Sequence, residues 1–387
     1  MNGVANLSLY SDTGIGRISF IDLAAQQRRI RVGVEARLKA VLDHGRYIAG
    51  PEIEELEMRL AERAGVAGAV ACASGTAALI IPLFAMGVGP GDAVFIPAFT
   101  YNATANAVLL VGAKPVFVDI DPTTFNMDPC DLAEKVAAVS AEGALRPRAV
   151  IPVDLFGSPA DYASIAAVAA KYDLSILADG AQSFGGSLNG VEVGALARLT
   201  ATSFFPGKAL GAYGDAGAVF ATNPDDLEEL ASIRWHGTDD ARKLSVRVGF
   251  NGRMDSFQAA VLLEKLDIFD DELEARRRVA ETYDARLSGF AKPQRHLKGA
   301  IPGCAYYSLC VDDRDRIVDR VKAAGVPTAI YYATPLHEMP AFKAYAPKDG
   351  LPVTDEIASK IFALPMHPYL TPDQVDYICE VTEAAAS

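Results

Sequence analysis

The 387-residue chain is predicted to be an α/β protein with a largely parallel central sheet flanked by helices and a smaller C-terminal α+β domain. Two observations predict this class. Short apolar segments of strand length alternate with segments of helical pattern, which is typical of βαβ units. Most of the short segments are apolar throughout, as expected of strands that helices cover on both faces.

The chain begins with two predicted helices after a polar extension. Residues 1–17 are rich in Gly and Ser, and we expect them to be flexible. Apolar residues at helical spacing then run from Ile21 to about Leu42, and again from Ile53 to Ala64. We therefore expect two helices at the start of the first folded domain.

The strands of the sheet are predicted from seven apolar segments. They are Ala69–Ala73, Ala93–Pro97, Pro115–Asp119, Ala149–Leu155, Ser175–Asp179, Leu199–Ser203 and Ala216–Ala221. Helical pattern returns at Pro224–Arg234 and at Met254–Leu287, and the second segment predicts one long, charged, solvent-exposed helix. The pattern predicts a large domain over 18–290 and a small one over 291–387.

The composition and charge of the chain disfavour several classes of function. A formal net charge of −13 argues against general nucleic-acid binding, which requires a basic surface. The five cysteines include no CxxC pair, and we expect reduced thiols in a cytoplasmic protein. The N-terminus does not resemble a signal peptide, and no apolar run approaches the roughly 20 residues of a membrane helix. The histidines lack metal-binding spacing, so we expect no metal.

Polar residues follow three of the predicted strands, at the edge where ligands bind in doubly wound sheets. Ser74-Gly75-Thr76 opens a helix, whose free amides and dipole suit a phosphate; an ordinary helix cap is the alternative. Asp179 ends an apolar strand and suits a metal, a base or a protonated ring nitrogen, or again caps a helix.

Lys208 lies in a Pro/Gly turn just after the strand that ends at Ser203. A lysine at the mouth of the sheet is a candidate for amine chemistry, although a surface turn lysine is the simpler interpretation. With the phosphate turn and Asp179, however, it completes the three groups that bind pyridoxal phosphate. These groups serve the phosphate, the pyridine nitrogen and the aldehyde.

Five ordered motifs resemble the DegT/StrS-type nucleotide-sugar aminotransferases. They are ASGTAAL, AFTYNATANAV, LADGAQSFGG, SFFPGKALGAYGDAG and GFNGRMDSFQAA. The resemblance runs from about Phe20 to the C-terminus. It implies the pyridoxal-phosphate-dependent transferase fold of type I, like that of aspartate aminotransferase. It also implies an enzyme that moves an amino group from L-glutamate, leaving 2-oxoglutarate, to a nucleotide-linked keto sugar.

The resemblance assigns roles residue by residue. Lys208 corresponds to the lysine that forms a Schiff base with the cofactor, and Asp179 to the partner of the pyridine nitrogen. The other implied cofactor contacts are Gly75, Thr76 and Ser203 at the phosphate, Tyr101 stacked on the ring, Gln182 at the ring hydroxyl, and Asn251. Asn251 corresponds to a residue that reaches the phosphate of the neighbouring subunit, which implies a homodimer with shared active sites.

Within the family, the chain most resembles aminotransferases of UDP-2-acetamido-2-deoxy-3-oxo-glucuronate, which serve surface polysaccharides such as lipopolysaccharide O-antigen. The implied substrate contacts are Gly45, Tyr47, Arg253, Tyr331 and Tyr332. Arg253 suits a carboxylate or phosphate, with a structural ion pair as the alternative. Tyr331 stands where those enzymes have histidine, which removes one potential cation. A dTDP-3-keto-6-deoxyhexose or a 4-keto nucleotide sugar therefore stays open as the acceptor.

Two other functions compete with transamination. Related sugar dehydratases carry histidine in place of the lysine, so Lys208 disfavours dehydration. A non-catalytic sugar-binding homologue would have lost part of the cofactor site, whereas Lys208, Asp179 and the phosphate turn are all present.

Overall fold

The computed structural model describes residues 16–387, so nearly all of the predicted N-terminal extension lies outside the described residues. The strands are β1 (Gly68–Cys72), β2 (Asp92–Pro97), β3 (Lys114–Val118), β4 (Arg146–Val150), β5 (Ser175–Asp179), β6 (Ser187–Leu188), β7 (Val191–Glu192), β8 (Leu199–Ser203), β9 (Gly217–Ala221), β10 (Lys292–Pro293), β11 (Ala300–Ile301), β12 (Tyr307–Cys310) and β13 (Ile361–Leu364). The helices are α1 (Leu23–His44), α2 (Pro51–Ala64), α3 (Gly75–Ala85), α4 (Ala103–Leu110), α5 (Pro129–Glu142), α6 (Tyr162–Tyr172), α7 (Leu227–Arg234), α8 (Ser256–Leu266), α9 (Phe269–Leu287), α10 (Arg314–Ala323), α11 (Pro352–Lys360) and α12 (Pro372–Ala386).

The central sheet has seven strands in the order β1-β9-β8-β5-β4-β2-β3. Neighbours from β8 through β3 pair in parallel, whereas β9 is antiparallel to both β1 and β8. The predicted mostly parallel sheet is confirmed. Because β9 reverses direction between β8 and β1, the other six strands all end at one edge.

Alternate residues of β2 show why its positions 93–96 are all apolar. Val94 and Ile96 belong to one hydrophobic cluster, and Ala93 and Phe95 belong to another. Successive strand residues point to opposite faces, so helices cover both faces of the sheet here. Complete burial of each larger side chain contributes about 1.5–3 kcal/mol to stability.

The bounds predicted for the fourth strand were wrong. The prediction was 149–155, but β4 spans Arg146–Val150. Beyond it, Val153 forms only an isolated parallel bridge with Asp179, and a 3-10 turn follows at Leu155–Gly157. Phe156 has a φ of 58° there, which ends the extended conformation despite its apolar sequence.

The predicted single helix over 254–287 is two helices, α8 and α9, separated at Asp267–Ile268. The second helix is not simply solvated. It buries Phe269, Leu273 and Tyr283 on one side of its charged surface. A helix with an apolar stripe among many charged residues packs that stripe against the protein core. The highly charged composition of this segment gave no sign of the stripe.

The C-terminal part contains a second, antiparallel sheet in the order β10-β12-β13. Its core includes Tyr283 from α9, Leu309, Phe362, and Ile378 from α12. These contacts agree with a mixed C-terminal unit, although the boundary at 290/291 stays a prediction. Across residues 16–387, none of the helices combines the length and apolarity that crossing a bilayer requires.

Candidate active site

A cleft of about 360 Å³ opens at the edge of the central sheet where β1, β5 and β8 end. Nine of the predicted site residues line it: Gly75, Thr76, Tyr101, Asp179, Gln182, Ser203, Lys208, Tyr331 and Tyr332. The shared strand direction explains why residues more than a hundred positions apart meet there.

The start of α3 forms one wall of the cleft. Ser74 caps the helix, since its Oγ accepts a hydrogen bond of 3.1 Å from the amide of Ala77. The amides of Gly75 and Thr76 in the first turn have no acceptor within the helix. A Cβ on Gly75 would lie 2.7 Å from Cβ of Ser203, so only glycine permits this approach. The free amides of Gly75 and Thr76, beside the hydroxyl of Ser203, fit a phosphate group.

Asp179 lies at the floor of the cleft and is 4% exposed. Its carboxylate accepts hydrogen bonds from the Thr104 hydroxyl at 2.9 Å and from the Ala181 amide at 3.2 Å. Burial raises the pKa of Asp179, while these two donors and the charge of Lys208 oppose the increase. Each carboxylate oxygen retains a lone pair, so Asp179 can accept a further hydrogen bond from a protonated ring nitrogen.

Lys208 lies on the connection between β8 and β9. Its backbone amide donates to the carbonyl of Phe205 at 2.8 Å, which fixes the turn. Its Nζ lies 5.6 Å from the ring centre of Tyr306. The amine therefore reaches the same cleft as Asp179, where an aldehyde can condense with it.

Gln182 connects two aromatic residues in the wall opposite α3. Its Oε1 accepts from the amide of Phe156 at 2.8 Å, and its Nε2 donates to the hydroxyl of Tyr332 at 3.0 Å. The rings of Phe156 and Tyr332 stack at 6.0 Å, and both residues have φ near 60°. One N–H of Gln182 remains for a ligand.

Two further tyrosines shape the outer part of the cleft. The ring centres of Tyr306 and Tyr331 are 4.5 Å apart. Burial raises the pKa of Tyr331, as it does for Tyr332, so both phenols are neutral at physiological pH. By contrast, Tyr101 is 61% exposed, and its accessible ring suits stacking on a planar ligand.

Four predicted residues do not line the cleft of their own chain. Gly45 ends α1 with a φ of 68°, and Tyr47 stacks on Phe257 at 5.7 Å. Arg253 packs over the ring of Trp235 at 4.6 Å, and Asn251 forms a bridge with the same residue. These four belong to two chain segments that meet where the Ser256 amide donates to the carbonyl of Tyr47.

Sequence reasoning missed Thr104, Tyr306 and Asp215, which also line the cleft. Thr104 lies within the AFTYNATANAV motif, so its position was visible but its contact with Asp179 was not. Tyr306 had no sequence signal, because strand β12 brings it in from the C-terminal part of the chain.

A helix start with free amides, a buried acid and an amine at one sheet edge are the groups with which proteins bind pyridoxal phosphate. The chain matches the model of the DegT/DnrJ/EryC1/StrS aminotransferase family over residues 29–383. The chain belongs to this family. It is therefore a pyridoxal-phosphate-dependent nucleotide-sugar aminotransferase, as the sequence predicted.

Individual relatives agree. The chain is 47% identical to the UDP-2-acetamido-2-deoxy-3-oxo-D-glucuronate aminotransferase of Pseudomonas aeruginosa, over 94% of this chain and 98% of the relative. A DegT/DnrJ/EryC1/StrS aminotransferase from Brucella abortus superimposes with a TM-score of 0.94 and 45% identity, covering 96% of this chain and 100% of that one. A Bacillus subtilis protein solved with bound cofactor PMP superimposes at 0.85 with 27% identity, covering 97% and 86%.

Proposed function

We propose that this enzyme transfers the amino group of L-glutamate to the 3-keto group of UDP-2-acetamido-2-deoxy-3-oxo-glucuronate or a close hexuronate relative. The observation that carries this choice is the 47% identity with the Pseudomonas aeruginosa enzyme along nearly the whole length of both chains. The product would enter cytoplasmic synthesis of a surface polysaccharide such as O-antigen.

Each residue of the cleft receives a physical role in this proposal. When bound, pyridoxal phosphate supplies the electron sink that lets a proton leave the carbon bearing nitrogen. Asp179 keeps a proton on the ring nitrogen, and Gly75, Thr76 and Ser203 hold the phosphate. Lys208, once released from the cofactor, is the base and acid that moves the proton.

The remaining contacts orient the cofactor and the sugar. Tyr101 and Gln182 line the cleft, where the Tyr101 ring would stack on the cofactor ring and the free N–H of Gln182 would contact its hydroxyl. Tyr331 and Tyr332 also line the cleft and would contact the acceptor sugar.

The proposal includes a homodimer with shared active sites. Asn251, Arg253, Gly45 and Tyr47 lie outside the cleft of their own chain, and Tyr47 and Asn251 are exposed. The nearby segment exposes three apolar side chains, namely Leu244, Val246 and Val248. In a dimer, burial of these side chains would bring Asn251 and Arg253 to the partner's phosphate and sugar.

A second acceptor class is favoured by one observation. Tyr331 is neutral, half-buried and part of the cleft lining, at a position where the resemblance implies histidine. Without that cation, the carboxylate of a uronate loses one favourable charge interaction, whereas a neutral 3-keto-6-deoxyhexose carried by dTDP loses none. Arg253 supplies the compensating charge in the uronate proposal.

The test is to convert the purified enzyme to its amine form with glutamate and then add UDP-, dTDP- and GDP-linked keto sugars. Return of the visible absorption band only with the UDP-3-oxo-uronate supports the proposal, and return only with the dTDP sugar supports the alternative. Return only with a GDP-4-keto sugar contradicts both. Lys208→Ala should give no turnover, whereas Lys171→Ala, on α6 and away from the cleft, should match the wild type.

A further inference from the structure

Asp154 is a completely buried carboxylate immediately behind the cleft. Its oxygens accept three hydrogen bonds of 2.8 Å each, from the Ala160 amide, the Tyr162 hydroxyl and the Ser183 hydroxyl. Three protein donors therefore satisfy the carboxylate in place of water. Burying an ionised acid without a neighbouring cation is costly.

The backbone places Asp154 directly beside Asp179. The Asp154 amide donates to the carbonyl of Asp179 at 3.1 Å, and the Asp179 amide donates to the carbonyl of Pro152 at 2.9 Å. The two acids thus lie on adjacent parallel segments. Burial raises the pKa of Asp154, and the nearby charge of Asp179 adds to the increase.

The side chain of Asp154 also joins two segments that carry cleft residues. Through Ser183 it holds the 180–183 turn, which follows Asp179 and contains Gln182. Through Ala160 and Tyr162 it holds the loop that leads into α6. Any displacement of Asp154 therefore moves the turn on which the pyridine-nitrogen partner depends.

We propose that Asp154 is a positioning residue for cofactor binding, which fixes the 180–183 turn that follows Asp179 and, when ionised, adds negative charge behind Asp179. The proposal rests on the role given above to Asp179. Negative charge at this depth favours the protonated form of a ring held by Asp179. The titratable groups facing Asp154 are Tyr162 from α6 and Asp179 from β5, and both are acids.

Asp154→Asn separates charge from packing, because an asparagine of the same shape keeps two acceptor contacts and can donate to Ser183. We expect the pH midpoint of the visible absorption band of bound pyridoxal phosphate to fall by about half a unit or more. The dissociation constant for pyridoxal phosphate should rise by about 3–10-fold. The melting temperature of the cofactor-free protein should not fall.

The matched control is Asp161→Asn, which removes a nearby acid at the N-terminus of α6. It should leave the midpoint and the dissociation constant at wild-type values. Ser183→Ala keeps the charge of Asp154 but cuts its bond to the turn, so it should weaken cofactor binding with little shift in the midpoint.

The outcomes are distinguishable. An Asp154→Asn enzyme with wild-type midpoint and dissociation constant overturns the proposal, as does an equal effect of Asp161→Asn. If Asp154→Asn does not fold, Ser183→Ala decides: weaker binding supports the positioning role and unchanged binding overturns it. A wild-type protein that binds no pyridoxal phosphate would instead refute the proposed function itself, and this inference with it.

Discussion

The hydroxyl of Thr104 donates a hydrogen bond of 2.9 Å to the carboxylate of Asp179, and both groups are buried. Thr104 lies in α4 and Asp179 ends β5, so the bond joins a helix after one strand to the end of another. In the cofactor site this donor orients one carboxylate oxygen, which leaves the remaining lone pairs for a ligand in the cleft.

Replacing Thr104 with valine removes the donor while keeping the branched shape. Because a hydrogen bond to a charged group contributes about 1.5–3 kcal/mol, we expect pyridoxal phosphate to bind about 10-fold or more weakly. Thr104→Ser retains the hydroxyl and should stay within about 3-fold of the wild type. Titration of the cofactor-free protein measures both values, and equal affinities for the two variants would contradict the assigned role.

Gly75→Ala should damage the phosphate site. The new Cβ would lie 2.7 Å from Cβ of Ser203, so α3 or Ser203 must move. We expect cofactor affinity to fall about 10-fold or more, since each lost phosphate hydrogen bond is charge-assisted. Gly89→Ala is the control, because its Cβ would meet nothing closer than 3.8 Å. Similar losses in both variants would indicate a general effect on folding.

Tyr331→His should alter the choice of acceptor. A histidine carries partial positive charge near neutral pH, so the ratio of kcat/KM for a uronate over a neutral 6-deoxy sugar should rise about 3–10-fold. Tyr331→Phe keeps the aromatic ring without charge and should leave the ratio near the wild-type value. Should phenylalanine reproduce the effect of histidine, charge at Tyr331 cannot be its cause.

Asp154 should make stability depend on pH. Burial raises the pKa of Asp154 to about 7, well above its unfolded value. Between about pH 4 and 7 the folded state therefore binds the extra proton, and the unfolding free energy falls as pH rises, by up to about 4 kcal/mol from this group. Urea unfolding of cofactor-free wild type and Asp154→Asn at pH 5 and pH 8 measures it. The variant should gain relative stability at pH 8; a constant difference would show that Asp154 titrates normally.

The sequence was sufficient to predict the core of the site. Asp179 and Lys208 each follow a continuously apolar strand, and parallel strands of a covered sheet end at one edge. That geometry brings the two residues to the same edge, whereas the roles assigned to them there came from the family resemblance. The Ser74–Thr76 turn was predictable for the same reason, since it lies between a buried strand and a helix.

Other features depend on contacts that no local pattern records. Tyr306 reaches Lys208 from the position just before β12, and Asp154 lies inside the segment predicted as a strand, beyond the observed end of β4. Phe156 adopts a left-handed conformation that its residue type does not suggest. The roles of Asn251, Arg253, Gly45 and Tyr47 stay predictions, because they concern a second subunit.

The reversed direction of β9 has a consequence for how this enzyme folds. Most neighbouring strands of the sheet are joined through long crossovers, but β8 and β9 are consecutive and pair over five registered residues on either side of the Lys208 connection. Contacts close in sequence form faster than distant ones. We therefore expect the β8–β9 connection that carries Lys208 to become ordered early during synthesis, before the ribosome has released the C-terminal residues that complete the cleft.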